Sequence, residues 1–309
     1  MEKQPTVSIL INNYNYGQFL GKAIDSVLSQ SYAPVEVVVV DDGSTDNSRD
    51  VINSYGSQII PVLKANGGQA SAFNAGFIAS RGEVICLLDS DDFFLEEKVA
   101  EVVKIFEAYS DVSWCFHTLE LVDVTTGEFL GKSRERESRL CDFRIHARRG
   151  KVYFYAPATS GLSFKRSLLQ KILPMAEKEE TKLCADRYVS CAAVATSQGF
   201  YLDQALAVQG IHGSNGFNFN QNIDIIRSRS ALATACSLRD KFPELIRYTN
   251  REFANGLSGL WKSGEIEPPY TQAISEYWSA LSLIEKLEII FWTAYRSIPR
   301  KRTARHRMT

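Results

Sequence analysis

The sequence is marked first by what it lacks. Its six cysteines (Cys86, Cys115, Cys141, Cys184, Cys191 and Cys236) form no CxxC pair, and with only four histidines no His/Cys cluster has zinc spacing. That excludes a zinc-organised domain and points to reduced thiols in a cytosolic compartment. No GxxxxGK[ST] is present, which argues against a P-loop kinase or ATPase. No GxGxxG follows the first strand, so a dinucleotide cofactor is not expected. There is no GxSxG elbow. The opening MEKQPTVS carries no signal-peptide pattern, and no 18-residue stretch is apolar enough to span a bilayer. The expected location is cytoplasmic, with a peripheral position at the inner face of a membrane as the alternative. Internal repeats and low-complexity linkers are also missing.

The charge balance of −1 hides an asymmetry. Residues Arg296–Thr309 hold six of the 35 basic residues and no acid, leaving 29 against 36 acidic residues in the rest, a body at −7. An acidic body is not a nucleic-acid binder. The basic tail suits anionic lipid, or is simply solvated.

The first 90 residues alternate in kind. VSILIN (7–12), VEVVVV (35–40), IIPVL (59–63) and EVICLLD (83–89) read as strands. The second has no polar alternation, so both of its faces are buried. The proline in the third suggests a sheet edge or bulge. Between them, helical spacing covers Gln18–Gln30, Asp46–Tyr55 (with Ser44 or Thr45 as cap), Gln69–Ser80 and Glu96–Tyr109. This βαβ pattern predicts an α/β fold with a parallel sheet and helices on both faces. Further on, WCFHTLELVD and FLG flank a turn near Thr126-Gly127. Residues 131–151 are charge-dense and read as a surface or mobile segment. SGLSFKR (160–166) enters a short helix, Thr181–Ser197 is helical, and YLDQALAVQGIH (201–212) is a strand. Helices follow from Asp224, after a soft boundary near GSNGFNFNQN (213–222). The last helical stripe, within Leu283–Ile298, is expected to dock on the main domain, a membrane surface being the alternative.

Ligands of open α/β sheets bind outside the carboxyl ends of the strands, and three such ends here are decorated. They carry Asn12-Asn13-Tyr14-Asn15, Asp41-Asp42-Gly43-Ser44 and Asp89-Ser90-Asp91-Asp92. Five carboxylates at one edge repel one another strongly unless compensated. Carboxylate oxygens suit Mg²⁺ or Mn²⁺, and such ions complete their shell with water and phosphate. A divalent metal therefore predicts a phosphorylated ligand. Any one of these aspartates alone would read as a turn or cap residue. The glycine-rich NGGQASAFNAG (66–76) either lets the backbone approach a ligand or forms a tight turn.

These pieces, in this order and spacing, resemble the family 2 glycosyltransferases of the GT-A fold. VSILINNYN, AIDSVLSQSY, VEVVVVDDGSTDNS, NGGQASAFNAG and ICLLDSDD carry the likeness; SGLSFKR, residues 184–188 and GIHGSN extend it more weakly. It covers roughly residues 6–215 and leaves the later helices unplaced. The resemblance implies a GT-A domain over 1–215, with a nucleotide-binding half 1–95 and an acceptor half 96–215, then a helical extension over 216–309. It implies an inverting, metal-dependent transfer of one sugar from a nucleoside-diphosphate sugar, UDP-linked, to a hydroxyl of a glycan or lipid-linked saccharide in surface polysaccharide assembly. Asn12, Tyr14, Asp41, Asp42, Asn66, Gly68, Asp89 and Ser90 would border the nucleotide, with Asp41 or Asp42 on the base or ribose and Asp89 on the ribose. Asp91 would hold Mn²⁺ or Mg²⁺, with Asp92 or His212 as rivals. Asp186 matches the family's general base, although Ala185 stands where relatives carry Glu. Phe73 stands where many relatives carry an arginine that meets the phosphates, so either another cation does that work, with Lys165, Arg166 and Arg187 as candidates, or the donor pose differs. No Gln-x-x-Arg-Trp motif is present, which favours single transfer. The competing readings are a sugar-phosphate nucleotidyltransferase, disfavoured by the lack of any basic residue in NNYNYG (12–17), and a sugar-nucleotide-binding module without catalysis.

Overall fold

The computed structural model describes residues 4–133, 137–151, 154, 156–178, 182, 185–213, 223–264 and 267–298. The chain divides into two compact units, one of Met1–Arg144, Tyr153–Glu177 and Lys182–His212, the other of Ile145–Val152, Lys178–Thr181 and Gly213–Thr309.

The first unit is built on one mixed sheet. Strands β1 (Val7–Asn13), β2 (Val35–Asp42), β3 (Ile60–Lys64) and β4 (Val84–Asp89) are linked by helices α1 (Gly17–Leu28), α2 (Ser48–Ser54) and α3 (Gly68–Ala79). They lie in the order β3-β2-β1-β4, all parallel, with the proline-bearing β3 at the edge. Val38, Val39 and Val40 are wholly buried, as the unbroken apolar run requires. Each such side chain contributes about 1.5–3 kcal/mol relative to an exposed one. Helix α1 turns Leu20, Ala23, Ile24 and Val27 onto the same core. Beyond β4 come β5 (Phe93–Phe94), α4 (Lys98–Ala108), the long β6 (Trp114–Asp123) and β7 (Phe129–Lys132), its hairpin partner. Gly127 takes a positive φ in that hairpin turn, as placed from sequence. After β8 (Arg139–Asp142) and α5 (Arg144–Arg148), β9 (Leu162–Lys165) inserts antiparallel between β4 and β6, followed by α6 (Arg166–Ile172) and α7 (Ala185–Thr196). Strand β10 (Gln198–Ile211) then pairs parallel with β6.

One local expectation is corrected. Helix α2 begins at Ser48, with Asn47 at its cap position, because Ser44 and Thr45 are otherwise engaged. Ser44 Oγ accepts from the Asn15 backbone (2.9 Å) and Asn13 Nδ2 (3.1 Å), while Thr45 N donates to Asn15 Oδ1 (2.7 Å). The charged 131–151 segment lies mostly at the surface, as expected, and its described residues contain regular structure, since β8 pairs antiparallel with the start of β10 and α5 follows it. Of the boundary stretch 213–222, all but Gly213 lies outside the described residues.

The second unit is helical: α8 (Ile223–Lys241), α9 (Ile246–Ser263), α10 (Pro268–Ser279) and α11 (Leu283–Ser297). Its core joins Leu232, Phe253, Leu260, Tyr277, Leu281 and Ile289, with the Phe253 and Tyr277 rings stacked at 3.9 Å. A polar network runs beside it. Asn250 Oδ1 accepts from Arg239 Nη1 (3.0 Å) and Tyr277 Oη (2.9 Å), and Arg239 Nη2 donates to Glu285 Oε1 (3.0 Å). Glu285 also closes a capping box with Ser282 at the start of α11. The stripe within Leu283–Ile298, expected to be covered, is instead exposed. Ile289 and Thr293 are the buried positions of α11, and its solvent side is apolar.

Burial alone would raise the Glu285 carboxyl. The hydrogen bonds from Ser282 and the Arg239 guanidinium overcome it and bring the group from 4.5 down to about 2. A depressed carboxylate stabilises the fold above its unfolded pKa, and that contribution is lost as pH falls through the folded value. Glu285→Gln is therefore expected to lower stability at neutral pH by about 1–2 kcal/mol after allowance for solvent screening. The gap to wild type should close between pH 4.5 and about 2 in urea melts; a pH-independent gap would contradict the ionic origin.

Candidate active site at the carboxyl edge of the sheet

Strand pairing decides which side chains meet. β1 pairs with β2 on one side and β4 on the other, and the register sets Asn12 opposite Asp89 and Asn13 opposite Asp41. The chain runs outward from β1 through β2 and β3, then returns to the other side of β1 as β4. This is the switch point at which open sheets form a ligand crevice.

At the end of β4 the chain turns sharply, with Asp92 N donating to Asp89 O (3.1 Å). Asp89, Asp91 and Asp92 each bring a carboxylate oxygen within 4.8 Å of the others. Their environments differ. Asp92 is buried and accepts from Ser160 Oγ (2.5 Å) and Gly210 N (2.9 Å). Gly210 has to be glycine, since a Cβ there would stand 2.4 Å from the Asp91 carbonyl oxygen. Asp91 Oδ2 lies 3.0 Å from His212 Nε2. The His212 ring is held by aromatic neighbours, stacked on Phe19 at 4.9 Å and edge-on to Tyr16 at 5.5 Å. Burial, and then the neighbouring carboxylates, push both Asp89 and Asp92 well above the ordinary carboxylate range; for Asp89 those neighbours are Asp91 and Asp186. Asp186, in the first turn of α7, thus acts electrostatically on the same cluster. Its own carboxyl is raised by burial, opposed by Arg187. The start of α7 is tied to α3, Ala185 N donating to Gln69 Oε1 (2.7 Å).

The β2 carboxylates are already occupied by protein groups. Asp41 accepts from Asn13 Nδ2 (3.1 Å), Ser44 N (3.2 Å) and Arg49 Nε (3.0 Å). Burial would raise it, but these bonds hold it below its usual value. Asp42 accepts from Lys64 Nζ (2.6 Å), Gly67 N (2.9 Å) and Gly68 N (2.7 Å), so it fixes the glycine-rich loop at the start of α3. Asn66 lies exposed in that loop, against Gly43, whose φ of +81° and 2.6 Å Cβ-to-Asn66 N separation exclude a larger residue. Ser90 is buried, its N–H donating to Asn12 O (3.2 Å), and Tyr14 is exposed. Asn12 stands apart: both amide atoms, Oδ1 and Nδ2, are buried and without a hydrogen-bond partner. A buried amide left unpaired costs about 1–3 kcal/mol, a cost that a ligand bound here would relieve.

Asn12, Asp89, Ser90, Asp91, Asp92 and His212 are thus gathered at one edge, with Asp41, Asp42, Asn66 and Gly68 beside them on β2 and its loop. Sequence reasoning did not single out Ser160, which lies 68 positions from the Asp92 that it supports. Nor did it find Gly210 or the Phe19–Tyr16 seat of His212; no local pattern marks them. Of the three candidate cations, two are corrected. Lys165 is paired with Val84 at the far end of β4, and Arg166 donates to Gly82 O and Ser80 Oγ at that same end. The length of β4, about 17 Å from Val84 to Asp89, separates them from the acidic edge. Phe73 is buried.

The chain matches Glycosyl transferase family 2 over residues 8–183, and it belongs to that family. An uncharacterised glycosyltransferase of Nostoc sp. is 36% identical over 215 residues, covering 68% of this chain and 66% of the relative. One of Rickettsia typhi is 36% identical over 122 residues, covering 38% of each protein. The chain therefore spans less than two thirds of these relatives. Among solved structures, S. aureus TarS 1-349 in complex with UDP-GlcNAc superposes with a TM-score of 0.66 at 15% identity, covering 94% of this chain and 88% of that one. The mannosyltransferase PcManGT of Pyrobaculum calidifontis, in complex with GDP-Man and Mn²⁺, gives 0.52 at 17% identity, covering 96% and 86%. The fold is that of the GT-A glycosyltransferases, followed by helices α8–α11.

The donor set of the acidic cluster is hard oxygen, which fits Mg²⁺ or Mn²⁺, and a cation there would relieve the repulsion that raises Asp89 and Asp92. Because Asp92 is fastened by two internal hydrogen bonds and Asp91 is not buried, their substitutions should separate. Asp92→Ala is expected to cost about 2–4 kcal/mol by orphaning Ser160 and Gly210 N–H, measured by denaturant titration. Asp91→Asn should leave stability within about 0.5 kcal/mol and weaken Mn²⁺ binding, followed by electron paramagnetic resonance, by at least the roughly tenfold that loss of an outer-shell partner costs. The reverse pattern would exchange their roles.

Proposed function

We propose that the protein is an inverting glycosyltransferase that moves one sugar from a nucleoside-diphosphate sugar to a hydroxyl of a saccharide or lipid-linked saccharide acceptor, in surface polysaccharide assembly. The observation that carries this reading is the acidic cluster of Asp89, Asp91 and Asp92 beside the unpaired Asn12 amide at the sheet's switch point. UDP is the donor nucleotide that we favour, on the likeness to a structure that holds UDP-GlcNAc; the other neighbour holds GDP-Man.

In this reading residues 1–95 bind the donor, 96–215 form the acceptor side, and 216–309 are an extension. Asn12 and the exposed Tyr14 ring border the base. Asp41 and Asp42 act by shaping the loop edges through Ser44, Gly67 and Gly68, with Asn66 at the rim. Asp89 and Ser90 face the ribose. Asp91, with His212 at 3.0 Å, would hold the divalent ion, and Asp92 fastens the turn that presents it. When bound, such an ion stabilises negative charge on the departing diphosphate as a Lewis acid. Arg187 is the remaining candidate for a phosphate cation.

Asp186 is the proposed general base. The acceptor oxygen bonds to the anomeric carbon, the carbon–diphosphate bond breaks, and the hydroxyl proton passes to the Asp186 carboxylate. Burial raises this carboxyl, which improves it as a proton acceptor. The cysteine usage of the sequence, without a CxxC pair, supports a reducing, cytosolic location.

Asp186→Asn keeps the shape and removes the base. It should leave donor affinity unchanged and lower kcat about 10²- to 10⁴-fold, measured with the donor identified by nucleotide binding. Transfer at the wild-type rate would remove Asp186 from the role.

A further inference from the structure

Surface helices normally turn their charges outward. Helix α11 does the opposite. Between Leu283 and Tyr295 every exposed residue is apolar: Leu283, Ile284, Leu287, Ile290, Phe291, Ala294 and Tyr295. Leu283 is 75% exposed, Ile284 79% and Phe291 59%. The charged Glu285, Lys286 and Glu288 are only partly exposed, and Glu285 is turned inward to Arg239. The apolar positions recur every three or four residues along one side, making a stripe about 20 Å long. Single exposed apolar side chains are ordinary, but a contiguous stripe marks an interaction surface.

We propose that this stripe lies flat on an anionic membrane surface. Charge complementarity selects that occupant. The stripe runs directly into Arg296–Thr309, with six Lys or Arg and no acid, in a protein whose remainder sums to −7. An anionic bilayer meets both features together, taking the apolar side chains below the headgroups and the cations at the phosphate level. Among the described residues no helix is long and apolar enough to cross a membrane, so the geometry is that of a helix on the surface. One apolar face or one basic run alone binds weakly; the pairing of two signals gives stable, reversible attachment. The inference rests on α11 and the basic run, and stands independently of the proposed transfer chemistry.

The test is co-sedimentation of the full chain with vesicles of phosphatidylcholine alone or mixed with phosphatidylglycerol. Wild type should bind the mixed vesicles, salt-sensitively, and not the neutral ones. The variant Leu287→Glu with Phe291→Glu alters exposed positions and should fold normally by circular dichroism while binding about tenfold more weakly or worse. Arg300→Glu with Lys301→Glu and Arg302→Glu should weaken binding and remove most of its salt dependence. Absence of wild-type binding to mixed vesicles would overturn the proposal, as would undiminished binding by the stripe variant. A dimer in sedimentation velocity that Phe291→Glu dissociates, with no vesicle binding, would assign the stripe to a second copy and also overturn it.

Discussion

Carboxylates crowded at one sheet edge set the terms for the rest of the first unit. Parallel pairing of buried apolar strands forces Asp41, Asp42 and Asp89 to emerge together, because the register of β1 with β2 and β4 leaves no freedom to stagger them. Like charges in a partly desolvated edge are costly, and the protein answers in two ways. On β2 it neutralises them: Asp41 and Asp42 each take three protein donors, two of which belong to Arg49 and Lys64. Beyond β4 the charges stand closer together. Asp92 is fastened by neutral donors, Asp89 is raised by burial and its neighbours, and Asp91 lies against His212. A cation would suit this half of the edge, whose carboxylate oxygens converge, and the β2 half is architecture for the loops around it.

This division bears on how carboxylates in such sites should be read. Taken as residue types alone, five aspartates at strand ends differ little. In the structure Asp41 and Asp42 hold loops, Asp92 holds a turn, and Asp89 and Asp91 converge with it. Asp42 illustrates the first kind: its oxygens accept from consecutive backbone N–H groups of Gly67 and Gly68, so it orients the glycine segment instead of presenting itself outward.

Much of the fold was legible. The Val37–Val40 run, the apolar spacing of α1 and the proline in β3 each express a local rule, so strand, helix and edge could be read directly. The acidic motifs were legible for the same reason, since a strand's end is a local property. What escaped depends on distant chain segments. Ser160 reaches Asp92, and Phe19 and Tyr16 reach His212, only through the insertion of β9 and the return of β10. Ser44 looked like a helix cap, yet Asn13 and Asn15 claimed its hydroxyl. The exposed stripe of α11 was visible as a stripe, but which way it faces is decided by packing in the helical unit, where Ile289 and the Glu285 network take the opposite side.

The central claim is that the acidic cluster at 89–92 holds a metal and a nucleoside diphosphate. Isothermal titration of UDP, GDP, dTDP and CDP, each in Mn²⁺ and again in EDTA, tests it most directly. The account expects one nucleotide to bind in Mn²⁺ and to lose most of its affinity in EDTA. Failure of all four to bind, or binding indifferent to EDTA, would contradict it and leave the carboxylates at 89–92 without the ligand that their arrangement implies.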